Sequence, residues 1–403
     1  MANKKNKAEE VAEPVAGSGT NYISHLPHII ITDILSRLPF KTLFICRCVS
    51  KTWLHLLLHP TFSQSYIART PTTIILQPKN NDLQQHHLFH LDPSSNHVMF
   101  KIKTHLGIKC DQKLELVDSC NGLILLGVVY CGEVKLDRLF VCNPITAEFV
   151  TVRPCTNLTP SFVCPRIGFC PKTNVYKVVL LANRECGPEV CKGVPTLVYT
   201  LGVKGNGLWK RIKVGKDVHG VPTHSAFLNG VIHWIVLSPD VNHFIHSFDV
   251  EDECFRPVAA PLEFEEKAPK MLTWPKRRIN LGVLGGCLAI GDCPFDDEMR
   301  FHIWVMKEYG VQGSWSKEWI IEFAVDAPMF SVITSRIIGL CDNGDILMLH
   351  NNNNLVSWNA ANGSYKIHRI DQMDQFQALP YIPNFCSLKD VARGEPLFNA
   401  TSW

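Results

Sequence analysis

The sequence repeats itself at a fixed interval. Tight-turn signals occur at Asn121-Gly122, Pro171 to Asn174, Asn229-Gly230, Gly285-Gly286 and Asn343-Gly344. Measured from Asn121, Asn174, Asn229, Gly285 and Asn343, the steps are 53, 55, 56 and 58 residues. Each turn sits between short β-branched and aromatic runs, such as Leu114 to Val117 before and Leu123 to Leu126 after the first of them. Such runs joined by two-residue Asn-Gly or Gly-Gly turns read as β-hairpins. A second hairpin follows each first: Leu139 to Cys142 with Phe149 to Val152, Val198 to Leu201 with Leu208 to Ile212, Phe244 to Asp249 with Cys254 to Val258, Phe301 to Met306 with Trp315 to Phe323, and Leu355 to Asn359 with Ser364 to Ile370. Two hairpins make a four-stranded sheet, and radial repetition of such sheets is the arrangement that protects their edges, a β-propeller.

A weaker first unit (Thr73 to Leu76, His86 to Leu91, His97 to Ile102) brings the number of blades to six but supplies only three strands. The extended segment Tyr381 to Leu388 is left over after the sixth unit, and we expect it to supply the missing strand and close the ring. The propeller domain is thus expected over residues 72–395, with 396–403 as a tail.

Ahead of the repeats, residues 21–66 have helical periodicity. Pro27 suits a first helical turn, Ile30, Ile34, Leu35 and Leu38 follow at helical spacing, and Pro39 stops that helix and opens a second. Ser50 is the expected N-cap of a third helix carrying Trp53, Leu56 and Leu57, which His59-Pro60 ends. Three helices in about 45 residues are too few to bury all that apolar surface internally, so part of it is expected to meet a partner. Residues 1–20, with Lys4, Lys5, Lys7, Glu9, Glu10 and a Gly-Ser-Gly, read as a disordered tail, its lysines either a plain solvated terminus or a nuclear address. The fold class is therefore an all-β six-bladed propeller preceded by a small all-α three-helix module.

Composition excludes several classes. A net charge of +3 from 40 Lys+Arg against 37 Asp+Glu gives no basic footprint for nucleic acid or anionic lipid. No apolar run reaches the length of a membrane span, and Met1 to Thr20 has no apolar signal core, so neither a membrane partner nor secretion is expected. The 16 cysteines lack paired C-x-x-C knuckles and read as reduced apolar fillers. His86, His87 and His90 alternate on a strand without acidic or thiolate partners, and Asp296, Asp297 and Glu298 are consecutive acids in a loop, so neither group is read as a metal or catalytic site. No catalytic residue, metal or cofactor is assigned.

Residues 26–53, LPHIIITDILSRLPFKTLFICRCVSKTW, closely resemble the F-box, the helical module that docks onto the Skp-type adaptor of cullin-RING (SCF) ubiquitin ligases. The resemblance rests on Leu26-Pro27, Ile30, Ile34-Leu35, Arg37-Leu38-Pro39, Lys41, Leu43, Arg47, Val49-Ser50-Lys51 and Trp53. It departs at His28, where an acidic residue is common, and in Phe44-Ile45-Cys46. The repeats resemble the kelch-like F-box-associated domain of plant F-box proteins through Asp118-Ser-Cys-Asn-Gly-Leu123, Phe140-Val-Cys-Asn-Pro-Ile-Thr146, Ile167-Gly-Phe169 with Tyr176-Lys-Val178, Leu228-Asn-Gly-Val-Ile-His-Trp234, Phe248-Asp249 and the Tyr381 segment.

The resemblance implies a non-catalytic substrate-recognition subunit of an SCF-type ligase, acting in the cytoplasm, the nucleus or both. A Skp-type adaptor would join it to cullin and RING subunits, and the propeller would hold a target protein. Leu26, Pro27, Ile30, Ile34, Leu35, Leu38, Pro39, Leu43, Val49 and Trp53 are then candidates for the adaptor interface or for the helix packing that shapes it. A scaffold without a degradative role, or a propeller enzyme, are the alternatives. Within each blade, connections between strands 1 and 2 and between strands 3 and 4 share one face, where the tight turns leave little to vary. The longer irregular segments Gly127 to Arg138, Ala182 to Thr196, Leu262 to Arg278 and Gly291 to Arg300 fall on the other face, where we expect the target. Within them Trp274, Lys276, Arg277 and Arg278 combine an aromatic anchor with a basic run.

Overall fold

The computed structural model describes residues 26–67, 69–70, 72–79, 87–92, 97–103, 113–130, 133–154, 162–183, 196–202, 209–212, 221–237, 245–264, 277–294, 300–322, 335–351, 353–370, 373, 375–393 and 397–399. The helical module consists of α1 (His28–Ser36), α2 (Phe40–Cys46), α3 (Lys51–Leu58) and α4 (Pro60–Ile67). Pro27 and Pro39 sit in extended conformation at the N-caps of α1 and α2. The Ser50 side chain accepts a hydrogen bond from the Trp53 backbone N–H at 3.1 Å, capping α3 as its sequence suggests. The module has four helices rather than three. Pro60 ends α3 by holding His59 in extended conformation, and it also opens α4, where its missing N–H costs nothing.

Six sheets follow. The first blade combines β1 (Thr73–Pro78), β2 (His87–Asp92) and β3 (His97–Lys103) with the late strand β24 (Phe376–Tyr381), in the order β24-β1-β2-β3. The second holds β4 (Lys113–Cys120), β5 (Leu123–Tyr130), β6 (Glu133–Asn143) and β7 (Glu148–Val152), and the third β8 (Phe162–Cys170), β9 (Val175–Asn183), β10 (Thr196–Thr200) and β11 (Lys210–Ile212). The fourth is built from β12 (Val221–Leu228), β13 (Val231–Leu237), β14 (Ile245–Asp249) and β15 (Cys254–Val258). The fifth comprises β16 (Arg277–Leu284), β17 (Cys287–Pro294), β18 (Arg300–Met306) and β19 (Trp315–Glu322), and the sixth β20 (Ser335–Leu340), β21 (Ile346–His350), β22 (Asn354–Trp358) and β23 (Tyr365–His368).

Three of the turns that set the period are left-handed as their sequences require: Asn121-Gly122, Asn229-Gly230 and Gly285-Gly286 each have two positive φ angles, the two-residue connection that matches strand twist. Asn343-Gly344, by contrast, has positive φ only at Gly344 and lies in a longer connection between Leu340 and Ile346. At Gly122, with φ +82°, a Cβ would also fall within 2.3 Å of the Asn384 side chain, so no larger residue fits.

Apolar residues from facing blades meet in six clusters, one at every blade boundary. Val141 and Val150 of the second blade meet Ile167 and Val178 of the third, for example, and the remaining boundaries are filled alike. The sixth boundary joins Leu347, Leu349 and Leu355 of the last blade to Ile74, Leu76 and Phe376 of the first, and it is this contact that closes the ring. Polar side chains clip neighbouring blades together as well. Gln77 donates to Leu114 O and accepts from Leu116 N, both at 2.6 Å, and Asn280 donates to Ser335 O at 2.7 Å and accepts from Ile337 N at 3.1 Å. Buried Cys120, Cys142, Cys164, Cys170 and Cys293 lie in blade strands as apolar fillers, and burial pushes the Cys142 thiol up to about 12.

Three expectations need correction. The closing strand is Phe376–Tyr381, in register from Thr73 opposite Tyr381 to Pro78 opposite Phe376, rather than the segment beginning at Tyr381. It is the innermost strand of its blade, an edge position that tolerates Pro380. Residues 397–399 are not a tail: strand β25 (Leu397–Asn399) pairs with β7 at the outside of the second blade. The segment Gly127 to Arg138 is not an irregular loop, because β5 and β6 continue through it with Val128 opposite Lys135, Val129 opposite Val134 and Tyr130 opposite Glu133.

Candidate functional site

The helical module is not a separate body on a tether. Ile31, Leu35, Phe40, Leu43, Cys46, Leu57, Phe62 and Tyr66 share one buried cluster with Ile145 and Phe385 of the propeller. Phe40 stacks on Phe385 with ring centroids 5.1 Å apart, and Phe44 lies 6.3 Å from the same ring. The segment carrying Phe385 is itself fixed to the second blade. The Asn143 amide donates to Cys386 O at 2.6 Å, and the Glu148 carboxylate accepts from Leu388 N at 2.7 Å, at the start of the short helix α5 (Leu388–Val391). Residues 382–388, expected in the closing strand, thus wedge the helices against the face of the 1–2 and 3–4 turns.

Packing sorts the ten candidate adaptor residues. Leu35 and Leu43 are fully buried in the shared cluster, and Leu26, Leu38 and Trp53 are half-buried against it, so these five shape the module. Pro27, Ile30, Ile34, Pro39 and Val49 are exposed. Two residues outside these ten candidates, Ile29 and Ile45, are exposed at 78% and 67%. Helix α1 is apolar around most of its circumference, and the buried cluster takes up only the side bearing Ile31 and Leu35. Five exposed isoleucine and valine side chains on so small a unit mark a surface made to be covered.

That surface is basic. The helices carry Arg37, Lys41, Arg47 and Lys51 against a single acid, Asp33. Asp33 pairs with Arg69 at 2.7 Å and Arg37 at 3.0 Å, and these hydrogen bonds hold its carboxyl below the usual carboxylate range. The Arg47 guanidinium lies 3.8 Å over the Phe44 ring.

Of the candidate target residues, Trp274 and Lys276 lie outside the described residues. Arg277 and Arg278 open β16, opposite Pro294 and Cys293, at the end of the hairpin away from Gly285-Gly286. Ile145, which anchors the helices, belongs to the 3–4 connection of its blade, so the helical module and the Arg277-Arg278 strand start lie on opposite faces of the ring. His86, Asp296, Asp297 and Glu298 are outside the described residues, and His90 is buried, bonded to the Thr73 hydroxyl at 2.6 Å. Among the described residues no group of three or more His, Cys, Asp or Glu is placed to hold a metal ion, and no helix is long and apolar enough to cross a membrane.

A small helical unit with an uncovered apolar surface, fixed to a closed ring of repeated sheets, defines an interaction protein of two parts. Residues 23–64 match the F-box domain and residues 73–375 the F-box associated beta propeller domain. The chain belongs to the F-box proteins with an F-box associated β-propeller. It is similar to F-box protein At3g07870 of Arabidopsis thaliana, 26% identical over 91% of this chain and 93% of that one. It is also similar to F-box protein CPR1 of the same plant, 28% identical over 82% and 81%. Among solved structures, the chain is similar to oligogalacturonate lyase in complex with manganese at a TM-score of 0.35 and 9% identity over 74% of this chain and 84% of that one. The F-box domain implies binding to a Skp-type adaptor.

Proposed function

We propose that the chain is the substrate-recognition subunit of an SCF-type ubiquitin ligase. It contributes no catalytic group: the F-box docks the Skp-type adaptor, which joins it to cullin and RING subunits, and the propeller holds a target protein for ubiquitination in the cytoplasm, the nucleus or both. The observation that carries this reading is the exposure of Ile29, Ile30, Ile34, Ile45 and Val49 on helices whose other side is fixed to the propeller. Fixing matters because the subunit's contribution is effective concentration: a target held on a rigid mount presents its lysines within a small volume, whereas a floppy joint dilutes them. The target surface is the face away from the helices, with Trp274, Lys276, Arg277 and Arg278 as its anchor, supported by the position of β16's first residues.

The test is affinity capture under proteasome inhibition, comparing the wild-type chain with the double variant Ile30→Asp/Ile34→Asp. A target held by both but ubiquitinated only with the wild type supports the proposal. A target ubiquitinated equally with both refutes it.

A further inference from the structure

The centre of the propeller holds a cavity of about 730 Å³, within the range of small-molecule pockets. Among the charged residues of its wall, three come from the innermost strands of three blades: Asp118 of β4, Arg166 of β8 and Arg336 of β20. Asp118 follows a bulge between Leu116 and Asp118, and Arg336 precedes one between Ile337 and Gly339, irregularities of the kind that re-aim side chains. The Asp118 carboxylate accepts from Ile167 N at 3.0 Å, one Arg166 nitrogen donates to Pro165 O at 2.8 Å, and Arg336 donates to Ala378 O. Around them the wall is mixed: Val117, Phe227 and Leu340 offer an apolar part, and Ser119, Ser225 and Asp342 are among its polar residues. The three groups line open space yet lie deep in the ring. Burial pushes the Asp118 carboxyl up while Arg166 pulls it down, and burial together with repulsion from Arg166 lowers Arg336 to about 10.

A ring core does not need this arrangement. Within this trio two guanidiniums act on one carboxylate, so positive charge is in local excess there, while Arg69 at the wall is paired with Asp33 and Asp342 lies elsewhere in the lining. Arginine's planar fork fits a carboxylate in two-point contact. We propose that the central cavity binds a small organic monocarboxylate, its charged end on Arg166 and Arg336 and its apolar body against Val117, Phe227 and Leu340. The ligand enters beside the helical module, since Arg69, which pairs with Asp33 of α1, also lines the cavity. The proposal goes beyond adaptor docking and does not depend on which protein is recruited.

The test uses the full chain in ligand-observed NMR with phenylacetate, 4-phenylbutyrate and decanoate, each paired with its primary amide. At least one acid is expected to bind at millimolar concentration or below, with its amide at least about tenfold weaker. Arg166→Gln should weaken that acid about tenfold or more. Because that variant also loses a hydrogen bond, Asp118→Asn is measured beside it: it keeps an acceptor for Ile167 N and removes the competing charge, so binding should tighten about threefold or more, a gain that misfolding does not mimic. Absence of binding by all three acids, equal binding of an acid and its amide, or no tightening in Asp118→Asn overturns the proposal.

Discussion

Replacing Tyr381 by alanine should open the ring. The side chain is 2% exposed, packs edge-on against His90 with centroids 5.6 Å apart, and shares a cluster with Ile75, Leu88 and Leu114 across the boundary of the first two blades. Its backbone carbonyl accepts from the Thr73 hydroxyl at 2.5 Å, at the end of the pairing that closes the chain on itself. Truncating a buried aromatic costs about 3–5 kcal/mol in lost transfer energy and cavity. Tyr381→Phe removes only the hydroxyl bond to Gly122 O, long at 3.3 Å, and should cost about 1 kcal/mol or less. Equilibrium urea unfolding followed by tryptophan fluorescence compares the three proteins. The account expects a large fall in midpoint for Tyr381→Ala and a small one for Tyr381→Phe. A Tyr381→Ala protein within about 1 kcal/mol of the wild type would refute the closing role assigned to β24.

Phe385→Ala should loosen the helices from the propeller, since it removes the ring stacked on Phe40; limited proteolysis should then cut within residues 67–72 while the propeller's unfolding midpoint stays near that of the wild type. Acid should destabilise the fold through His233 and His350, which are fully buried and held down to about 4. The unfolded chain takes up these protons near the ordinary histidine value of 6.5 and the folded chain only near 4. The stabilisation from their neutral burial is therefore complete above 6.5 and is lost as pH falls from 6.5 to 4, at up to about 1.4 kcal/mol per pH unit for each histidine. Urea midpoints at about pH 7.5 and about pH 5 measure this, and His233→Gln/His350→Gln should flatten the difference.

The repeat was legible because the signal for two-residue turns is strong: Asn-Gly and Gly-Gly accept positive φ where few other pairs do. Periodicity placed the blades but not the end of the ring. Beyond Tyr381, Ile382 and Phe385 read as one more extended apolar run, and only their contact with Phe40 and Phe44 shows that they serve the helices instead. The adaptor-facing residues were half legible for a related reason. In α1 both sides are apolar, so sequence alone does not say whether Leu35 or Ile34 turns inward; packing buries the first and leaves the second at 48% exposure. The charged trio of the cavity left no local trace. Arg166 and Arg336 are 170 residues apart, and the ring alone brings them together.

The central claim is that the exposed side of the F-box, mounted on the propeller, is the adaptor contact. The direct measurement is calorimetric titration of a purified Skp-type adaptor into the full chain, wild type against Ile34→Asp/Val49→Asp, with unchanged circular dichroism showing that both are folded. Ile34 and Val49 are exposed at 48% and 62%, so the substitutions should spare the fold and place two carboxylates where apolar contact is needed. The account predicts a loss of affinity of about a hundredfold or more, equivalent to about 2.7 kcal/mol. Equal affinity of the two folded proteins would contradict it.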